Sequence, residues 1–328
     1  MFNALLLRQQ DNQTLASVEQ VDETQLPEGE VLVAVEYSSL NYKDALAITG
    51  KGKIVRQFPM VPGIDFTGKV ISSSDLRYQP GQQVVLTGWG VGESHWGGLA
   101  EKAQVKADWL VPLNEDLTAQ KSMQLGTAGL TAGLCVQALQ QAGITPEQGE
   151  ILVTGASGGV GSVAVALLHA LGYQVAAVTG RAENSAWLTA LGANRIVSRE
   201  EMLSPNRPLD KQHWAGAIDT VGGHVLAKVL SQVNYNGAVA ACGLAGGFDL
   251  PTTVMPFILR GVKLLGVDSV NCPFAQRQQA WHLLATTLPP SYFQHACQSV
   301  TLDQAADYAA QLLDGKVTGR VLVEINPS

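Results

Sequence analysis

The pattern of hydrophobic and polar residues changes character near residue 123. Before it, short apolar or alternating runs such as Val31–Tyr37 (VLVAVEY) and Val84–Thr87 predict strands. From Met123 to Gln140 the chain is rich in alanine and leucine, which favours a helix. We therefore predict an irregular, β-rich domain over residues 1–122 and a change of architecture after it.

From residue 151 onward, apolar runs and helical patterns alternate. The runs predict strands at 151–154, 174–179, 195–197, 216–219, 238–242 and 262–267, and the helical patterns predict helices at 159–171, 183–191 and 225–232. Six strands interleaved with helices predict an α/β fold with a doubly wound parallel sheet, whose ligand lies at the carboxyl ends of the strands. A helix at 303–313 and a strand at 321–325 follow, and this last strand could return to the first domain.

The turn between the first of these strands and its helix is rich in glycine. It reads Gly155-Ala156-Ser157-Gly158-Gly159-Val160-Gly161. A strand that turns into a helix at glycines brings backbone N–H groups and the positive end of the helix dipole towards an anion. The spacing departs from the strict G-x-G-x-x-G fingerprint, but the next strand follows at the distance of a βαβ unit. We predict that Ser157, Gly158, Gly159 and Val160 bind a pyrophosphate; the alternative is a turn that binds nothing.

The residues after the second strand indicate which dinucleotide is bound. NAD sites usually carry a carboxylate at this place, whereas this chain has Thr179-Gly180-Arg181. A hydroxyl and a guanidinium would bind a 2′-phosphate through charge-assisted hydrogen bonds. We therefore predict NADPH as the cofactor, with Arg199 after the third strand as a second cation. Either arginine could instead be an ordinary surface residue.

Composition narrows the class of protein. The chain has 328 residues, 46% of them hydrophobic, and a net charge of −7 without a concentrated basic run, which predicts a globular protein that binds no nucleic acid. We find neither a basic leader with a cleavage site nor the roughly 18 apolar residues that span a bilayer, and we expect a cytoplasmic protein without a membrane partner. The four cysteines have no paired spacing and predict neither disulfides nor a thiolate metal site.

Several segments resemble the medium-chain dehydrogenase/reductase superfamily. They are Asn41-Tyr42-Lys43-Asp44, Pro62-Gly63-Ile64-Asp65, the segment GTAGLTA at 126–132 and the glycine-rich turn. The longer segments LNYKDALAITGKGKI, LTGWGVGESHWGGLAE, GAIDTVG and LPTTVMPFILR are similar to the NADPH-dependent acryloyl-CoA reductases, a branch close to the quinone oxidoreductases. The resemblance implies a GroES-like catalytic domain over 1–122 and 295–328, a Rossmann NADPH-binding domain over 123–294, and a homodimer.

The resemblance also indicates whether the chain has the residues that bind zinc. Zinc-dependent members use a Cys, a Gly-His-Glu motif and a later Cys or Asp around catalytic zinc, and four close cysteines around structural zinc. This chain has Asn41 to Asp44 and Gly63-Ile64-Asp65 at the corresponding places, and no cysteine before Cys135. We therefore predict no metal site. Without a Lewis acid, hydride transfer to an already polarised α,β-unsaturated carbonyl is favoured over oxidation of an alcohol.

The resemblance implies roles for further residues. Tyr42 is the candidate proton donor, with Asn41 beside it; alternatively, both only hydrogen-bond the cofactor or close the pocket. Thr131 and Leu244 are expected near the cofactor, as is Ser269, while Arg320 is expected near its phosphates. Helix capping explains Thr131 almost as well, and the other three could belong to turns at strand ends.

Two further groups of charged residues each have two possible roles. Asp44 and Asp65 are either pocket carboxylates or partners in a structural turn or salt bridge. The segment from Lys43 to Arg56, with Lys51 and Lys53, is a basic patch suited to the phosphates of coenzyme A or a solvated loop. The leading hypothesis is reduction of acryloyl-CoA to propanoyl-CoA. The alternatives are a quinone or enone reductase and a non-catalytic NADPH-binding protein.

Overall fold

The computed structural model describes residues 1–205 and 207–326. By their internal contacts these residues form two compact units. The first unit comprises Met1–Thr127, Ser269–Gln278 and Phe293–Ser328, and the second comprises Ala128–Asp268 and Gln279–Tyr292. The predicted assignment of a catalytic and a cofactor-binding domain to these parts of the chain stays a prediction.

Strands and helices are numbered in chain order. The strands are β1 (Phe2–Gln10), β2 (Gln13–Val21), β3 (Val31–Leu40), β4 (Asp65–Ser73), β5 (Gln83–Thr87), β6 (Lys102–Val105), β7 (Leu110–Pro112), β8 (Ile151–Val153), β9 (Val175–Thr179), β10 (Arg195–Ser198), β11 (Trp214–Asp219), β12 (Val233–Ala241), β13 (Lys263–Gly266), β14 (Cys297–Thr301) and β15 (Arg320–Glu324). The α-helices are α1 (Tyr42–Thr49), α2 (Ala119–Gln141), α3 (Gly159–Ala170), α4 (Ser185–Ala190), α5 (Arg199–Leu203), α6 (Gly223–Gln232), α7 (Met255–Arg260), α8 (Phe274–Thr287), α9 (Pro290–His295) and α10 (Ala305–Leu313).

The second unit contains a six-stranded sheet in the order β10-β9-β8-β11-β12-β13, and each neighbouring pair is parallel. The interior strands β8 and β9 are buried along their whole length, which is why they appear in the sequence as continuous apolar runs. Their side chains pack with α6 residues such as Val229 and Leu230 in one core. All six strands predicted between 151 and 267 are present, so the predicted α/β class is confirmed.

The first unit is built on a mixed sheet in the order β14-β15-β3-β4-β5-β7, with β6 also paired to β3. The strand predicted at 321–325 does return to the first part of the chain, because β15 pairs antiparallel with β3. Val31, Val33 and Val35 of β3 contribute to one buried core. A second core includes Ala45 and Ile48 from α1 together with residues of α10.

The structure adds helices that the hydrophobic pattern does not predict. Helix α1 is only eight residues long and lies inside a segment expected to be β-rich. Helix α8 has polar residues around most of its circumference (FAQRQQAWHLLATT), so its sequence lacks a clear apolar face. Helix α2 begins at Ala119, before the predicted start at Met123. In residues 1–205 and 207–326, no helix combines the length and the apolar character needed to cross a membrane.

Candidate active site

The glycine-rich turn of the second unit connects β8 to α3. Gly155 has a φ of +58°, and a Cβ atom on Gly161 would collide with the carbonyl oxygen of Gly155, so both positions require glycine. Gly158 is the N-cap residue of α3, and it has no side chain that could accept hydrogen bonds from the first turn of the helix. The N–H groups in the first turn of a helix lack intrahelical partners, so those of Gly159 and Val160 are available to an anion.

A buried carboxylate holds this turn in place. Asp219, at the end of β11, accepts a hydrogen bond from the Thr154 hydroxyl at 2.7 Å and another from the Gly222 backbone N–H at 2.7 Å. The Thr154 hydroxyl in turn accepts from the Thr220 backbone N–H at 3.0 Å. Burial raises the pKa of Asp219. The role of Asp219 was missed in the sequence, although it lies within the segment GAIDTVG.

The residues predicted to bind a 2′-phosphate lie together at the carboxyl ends of β9 and β10. Thr179 and Ser157 are buried, and their hydroxyl oxygens are 2.7 Å apart. The Arg181 backbone N–H donates to the Thr179 hydroxyl at 3.1 Å. Arg199 lies over Gly180, where an added Cβ would be 2.6 Å from the Arg199 guanidinium carbon. The structure therefore brings both predicted cations to one end of the sheet.

A phosphorylated dinucleotide fits these residues. The glycine-rich turn, which a side chain at Gly161 would disrupt, offers backbone donors, and the neighbouring arginines offer positive charge without a carboxylate in the Thr179-Gly180-Arg181 segment. Leu244 follows β12 and is 66% exposed. Thr131 is buried in α2. The assignment of these individual residues to the cofactor stays a prediction.

In the first unit, Ser269 lies in a segment held by a buried arginine. The Arg277 guanidinium donates to the Thr87 carbonyl at 2.7 Å, to the Thr87 hydroxyl at 2.6 Å and to the Ser269 carbonyl at 3.2 Å. It also lies over the Trp89 ring, 5.1 Å from its centroid. Sequence reasoning missed Arg277, because its neighbours in FAQRQQ resemble an exposed helical face. We infer that Arg277 fixes the backbone that carries Ser269.

A network of polar side chains surrounds Asn41 at the start of α1. The Asn41 amide nitrogen donates to the Asp65 carboxylate at 2.9 Å and to the Asp44 carboxylate at 3.2 Å. Its amide oxygen accepts from the Arg320 guanidinium at 3.1 Å. Both aspartates and Arg320 are buried. Asn41 is thus the bridge between two carboxylates and one guanidinium.

The Arg320 guanidinium donates hydrogen bonds to residues of the first unit. Besides Asn41, its guanidinium donates to the Ser39 hydroxyl at 2.6 Å and to the Gln124 carbonyl at 3.3 Å. Ser39 donates in turn to Asp65 at 2.7 Å. The predicted contact of Arg320 with cofactor phosphates stays a prediction, and the observed contacts give the side chain a positioning role. Neither Ser39 nor this role was predicted.

Asp44 joins the start of α1 to the loop before β4. Its carboxylate accepts from the backbone N–H groups of Asn41 at 2.9 Å and of Ile64 at 2.9 Å. Burial, together with the nearby charge of Asp65, raises the pKa of Asp44 to about 7, while these hydrogen bonds act in the opposite direction. Of the two interpretations of Asp44 and Asp65, their contacts support the structural one.

The segments that the resemblance places at a catalytic zinc site form this network instead. Its members are Asn41, Asp44 and Asp65, with Arg320 adding a positive charge among them. The positive charge of Arg320 in this network repels a metal cation. In the part of the chain that the structure describes, no group of three or more His, Cys, Asp or Glu is arranged to hold a metal ion.

Tyr42 is the first residue of α1 and differs from its neighbours in exposure. Its side chain is 55% exposed, whereas Asn41 and Asp44 on either side are buried. The buried network therefore fixes the backbone on both sides of a phenol that remains accessible. This arrangement leaves the Tyr42 side chain accessible at the surface of the first unit.

Two sequence families match the chain. The family described as "Alcohol dehydrogenase GroES-like domain" matches residues 27–115, and the family described as "Zinc-binding dehydrogenase" matches residues 159–286. The first match covers most of the β-rich part of the first unit, and the second covers most of the parallel sheet. Together with the fold, these matches define the class as the medium-chain dehydrogenases/reductases.

Full-length relatives narrow the class. The chain is 62% identical to the probable acrylyl-CoA reductase AcuI of Escherichia coli K12 and 54% identical to the acrylyl-CoA reductase AcuI of Ruegeria pomeroyi. Each comparison covers 99% of this chain and 100% of the relative. A crystal structure of E. coli K-12 YHDH with bound NADPH is 62% identical, with a TM-score of 0.96 over 98% of this chain and 99% of that one. The chain belongs to the acrylyl-CoA reductase family of the medium-chain dehydrogenases/reductases.

Proposed function

We propose that the protein reduces the carbon–carbon double bond of acryloyl-CoA to give propanoyl-CoA, with NADPH as the reductant. The observation that carries the proposal is the 62% identity, over 99% of the chain, to a probable acrylyl-CoA reductase. The cations Arg181 and Arg199 at the end of the parallel sheet support the choice of NADPH over NADH. An acyl-CoA thioester is the proposed small-molecule partner.

The residues of the second unit would bind the cofactor. When bound, NADPH supplies a hydride to the β-carbon of the unsaturated thioester. The turn from Ser157 to Val160 would hold its pyrophosphate, with the N–H groups of Gly159 and Val160 as donors, and Thr179, Arg181 and Arg199 would hold its 2′-phosphate. Thr131, Leu244 and Ser269 are proposed as further contacts. Arg320 is proposed to act through Asn41, because its guanidinium donates to that amide.

Asn41 and Tyr42 are the proposed catalytic residues. Reduction of the double bond leaves negative charge on the thioester oxygen and requires a proton at the α-carbon. Asn41 holds the start of α1 through its buried contacts, and Tyr42 offers an accessible phenol there. Tyr42 would donate the proton or hydrogen-bond the developing oxyanion.

Replacing Tyr42 with Phe tests whether the phenol takes part in the reaction. If the phenol supplies the proton, we expect kcat to fall about 100-fold or more, the contribution typical of general acid catalysis, with little change in KM. The measurement is steady-state oxidation of NADPH with acryloyl-CoA at saturating cofactor. A kcat equal to that of the wild type would contradict proton donation by Tyr42.

The proposed activity is tested by mixing the purified protein with NADPH and one acceptor at a time. We expect loss of NADPH absorbance with acryloyl-CoA and none with buffer alone, and crotonyl-CoA and a quinone are compared as acceptors. Turnover with a quinone and not with either thioester would replace the proposal with a quinone reductase. Binding of NADPH without turnover of any acceptor would indicate a protein that only binds the cofactor.

We also propose a cytoplasmic homodimer. Strand β13 lies at the edge of the six-stranded sheet, where an edge has unpaired backbone groups. Apolar side chains in the segment 248–264, which leads into this strand, are exposed, among them Phe248, Ile258 and Leu264. A second copy of the chain would cover both the edge and these side chains.

A further inference from the structure

Three exposed cations follow α1 in the first unit. We call Lys51, Lys53 and Arg56 the post-helix patch; all three side chains are exposed. Within residues 1–205 and 207–326, Lys53 and Arg56 form no side-chain hydrogen bond or ion pair. Lys51 lies near enough to Asp314 to lower the pKa of that carboxyl, which already pairs with Lys316 at 2.9 Å. The patch therefore retains positive charge for a ligand.

The backbone of the patch is anchored to the core. Ile54, Val55 and Phe58 are partly buried and pack against the core cluster that includes α1 and α10 residues. Lys53 and Arg56 alternate with these anchors and remain exposed. Because the apolar side chains fix the segment, the cations are presented on a defined surface and lose less conformational freedom on binding than they would on a loose loop.

The patch lies along α1 and approaches its first turn. The Arg56 backbone N–H donates to the Glu93 carbonyl at 2.8 Å, and the Glu93 carboxylate accepts from the Lys43 ammonium at 2.8 Å. Lys43 is the neighbour of Tyr42. Helix α1 has eight residues, so it is about 12 Å long, and the patch extends from near its start to beyond its end. An extended pantetheine arm is long enough to cover this distance.

We propose that the post-helix patch binds the 3′-phosphoadenosine diphosphate part of coenzyme A thioesters while the acyl end lies at Tyr42. This inference rests on the proposed function, because it assumes an acyl-CoA substrate. The ligand combines a pyrophosphate and a phosphomonoester, which are strongly attracted by three cations. The whole chain, with the patch included, has a net charge of −7, so these cations are needed to offset repulsion of the ligand.

Two thioesters that differ only in the phosphates test the proposal. The substrates are acryloyl-CoA and S-acryloyl-pantetheine, both measured at saturating NADPH. In the double variant Lys53→Glu/Arg56→Glu we expect kcat/KM to fall about tenfold or more for acryloyl-CoA and to change less than about twofold for S-acryloyl-pantetheine. Added salt should lower kcat/KM for acryloyl-CoA with the wild type and have little effect on the smaller thioester.

The matched control is Lys106→Glu/Lys211→Glu, which changes the net charge equally at two other exposed lysines that form no ion pair with any residue the structure describes. It should leave the kcat/KM for both thioesters within about twofold of the wild-type values. Equal losses for both thioesters in the patch variant, or no loss for either, would overturn the inference and leave the segment a solvated loop.

Calorimetry with coenzyme A alone separates the inference from the proposed function. We expect the wild type to bind coenzyme A and the patch variant to bind it about tenfold or more weakly. Binding by the wild type without turnover of either thioester would refute the proposed function and leave the patch assignment standing. No heat of binding to the wild type, or equal affinities in wild type and patch variant, would refute the patch assignment.

Discussion

Single residues of the site depend on partners that are far away in the chain. Asn41 lies between the carboxylates of Asp44 and Asp65 and the guanidinium of Arg320. An amide can both donate and accept, so it hydrogen-bonds to negative and positive groups at once. Replacing one residue of this network would leave a polar group of another residue buried without a hydrogen-bond partner, which would lower the free energy of unfolding.

Asp44 gives a prediction about pH. Its pKa is raised from 3.8 to about 7, so between these values the folded state binds more protons than the unfolded state. The free energy of unfolding should therefore fall as the pH rises from about 4 to 7, by up to about 4 kcal/mol from this group. Asp44→Asn should remove this decrease, as measured by urea unfolding at several pH values.

The control for this pH dependence is Asp75→Asn. Asp75 is half-buried, and its hydrogen bonds with Arg77 lower its pKa to about 2, so it stays ionised over the measured range. Its replacement should shift the whole curve of unfolding free energy against pH without changing its slope. Parallel curves for the wild type and Asp44→Asn between pH 4.5 and 7.5 would show that Asp44 does not titrate there.

Arg181 gives a prediction about cofactor choice. Its replacement by Ala should raise KM for NADPH by about ten- to a hundredfold, because hydrogen bonds between charged groups contribute about 1.5–3 kcal/mol. KM for NADH should change little, since NADH has no 2′-phosphate. The measurement is steady-state reduction of acryloyl-CoA with each cofactor, and Arg8→Ala, which removes a paired surface arginine, is the control. Equal increases for both cofactors would contradict the assignment.

At the scale of elements, the start of α2 is shaped by one glycine. Gly126 lies inside the helix with φ 53° and ψ −152°, which is a conformation reserved for glycine. An added Cβ would lie 2.5 Å from the Ser39 hydroxyl oxygen, 2.6 Å from an Asp65 carboxylate oxygen and 2.7 Å from an Arg320 guanidinium nitrogen. The kink thus makes room for the network around Asn41.

Gly126→Ala should lower the free energy of unfolding by about 2 to 4 kcal/mol, since it adds backbone strain and overpacking. Gly133→Ala is the matched control in the same helix, where the nearest atom would be 3.4 Å away. That substitution should be neutral or stabilising by up to about 1 kcal/mol, because alanine favours helix. Both values are measured by chemical denaturation. A similar loss for the two variants would mean that the kink is not required.

At the scale of the whole molecule, the exposed edge strand predicts association. We expect static light scattering to give about twice the 34.7 kDa of one chain for the wild type. Ile258→Asp, at a side chain 73% exposed, should shift the protein towards the monomer, because it places a charge on an apolar interface. Leu76→Asp, at a leucine 92% exposed in the first unit, should leave the mass unchanged. A monomeric wild type would refute the homodimer.

Local patterns in the sequence were enough to determine part of this protein. The six strands of the parallel sheet, the glycine-rich turn and the cations Arg181 and Arg199 were predicted, because each depends on residues close together in the chain. The resemblance of whole segments correctly indicated the family. Helix α1 was missed because two turns of helix leave too short a periodic pattern.

Only the tertiary structure decided which residues support the candidate site. Arg320 meets Asn41 across 279 positions of sequence, and Arg277 meets Thr87 across 190. No local pattern encodes such pairs, because they form only when β15 pairs with β3 and when the segment at Ser269 joins the first unit. The sequence therefore determined the chemistry that is available, and the folded chain decided which groups are buried together and what each one positions.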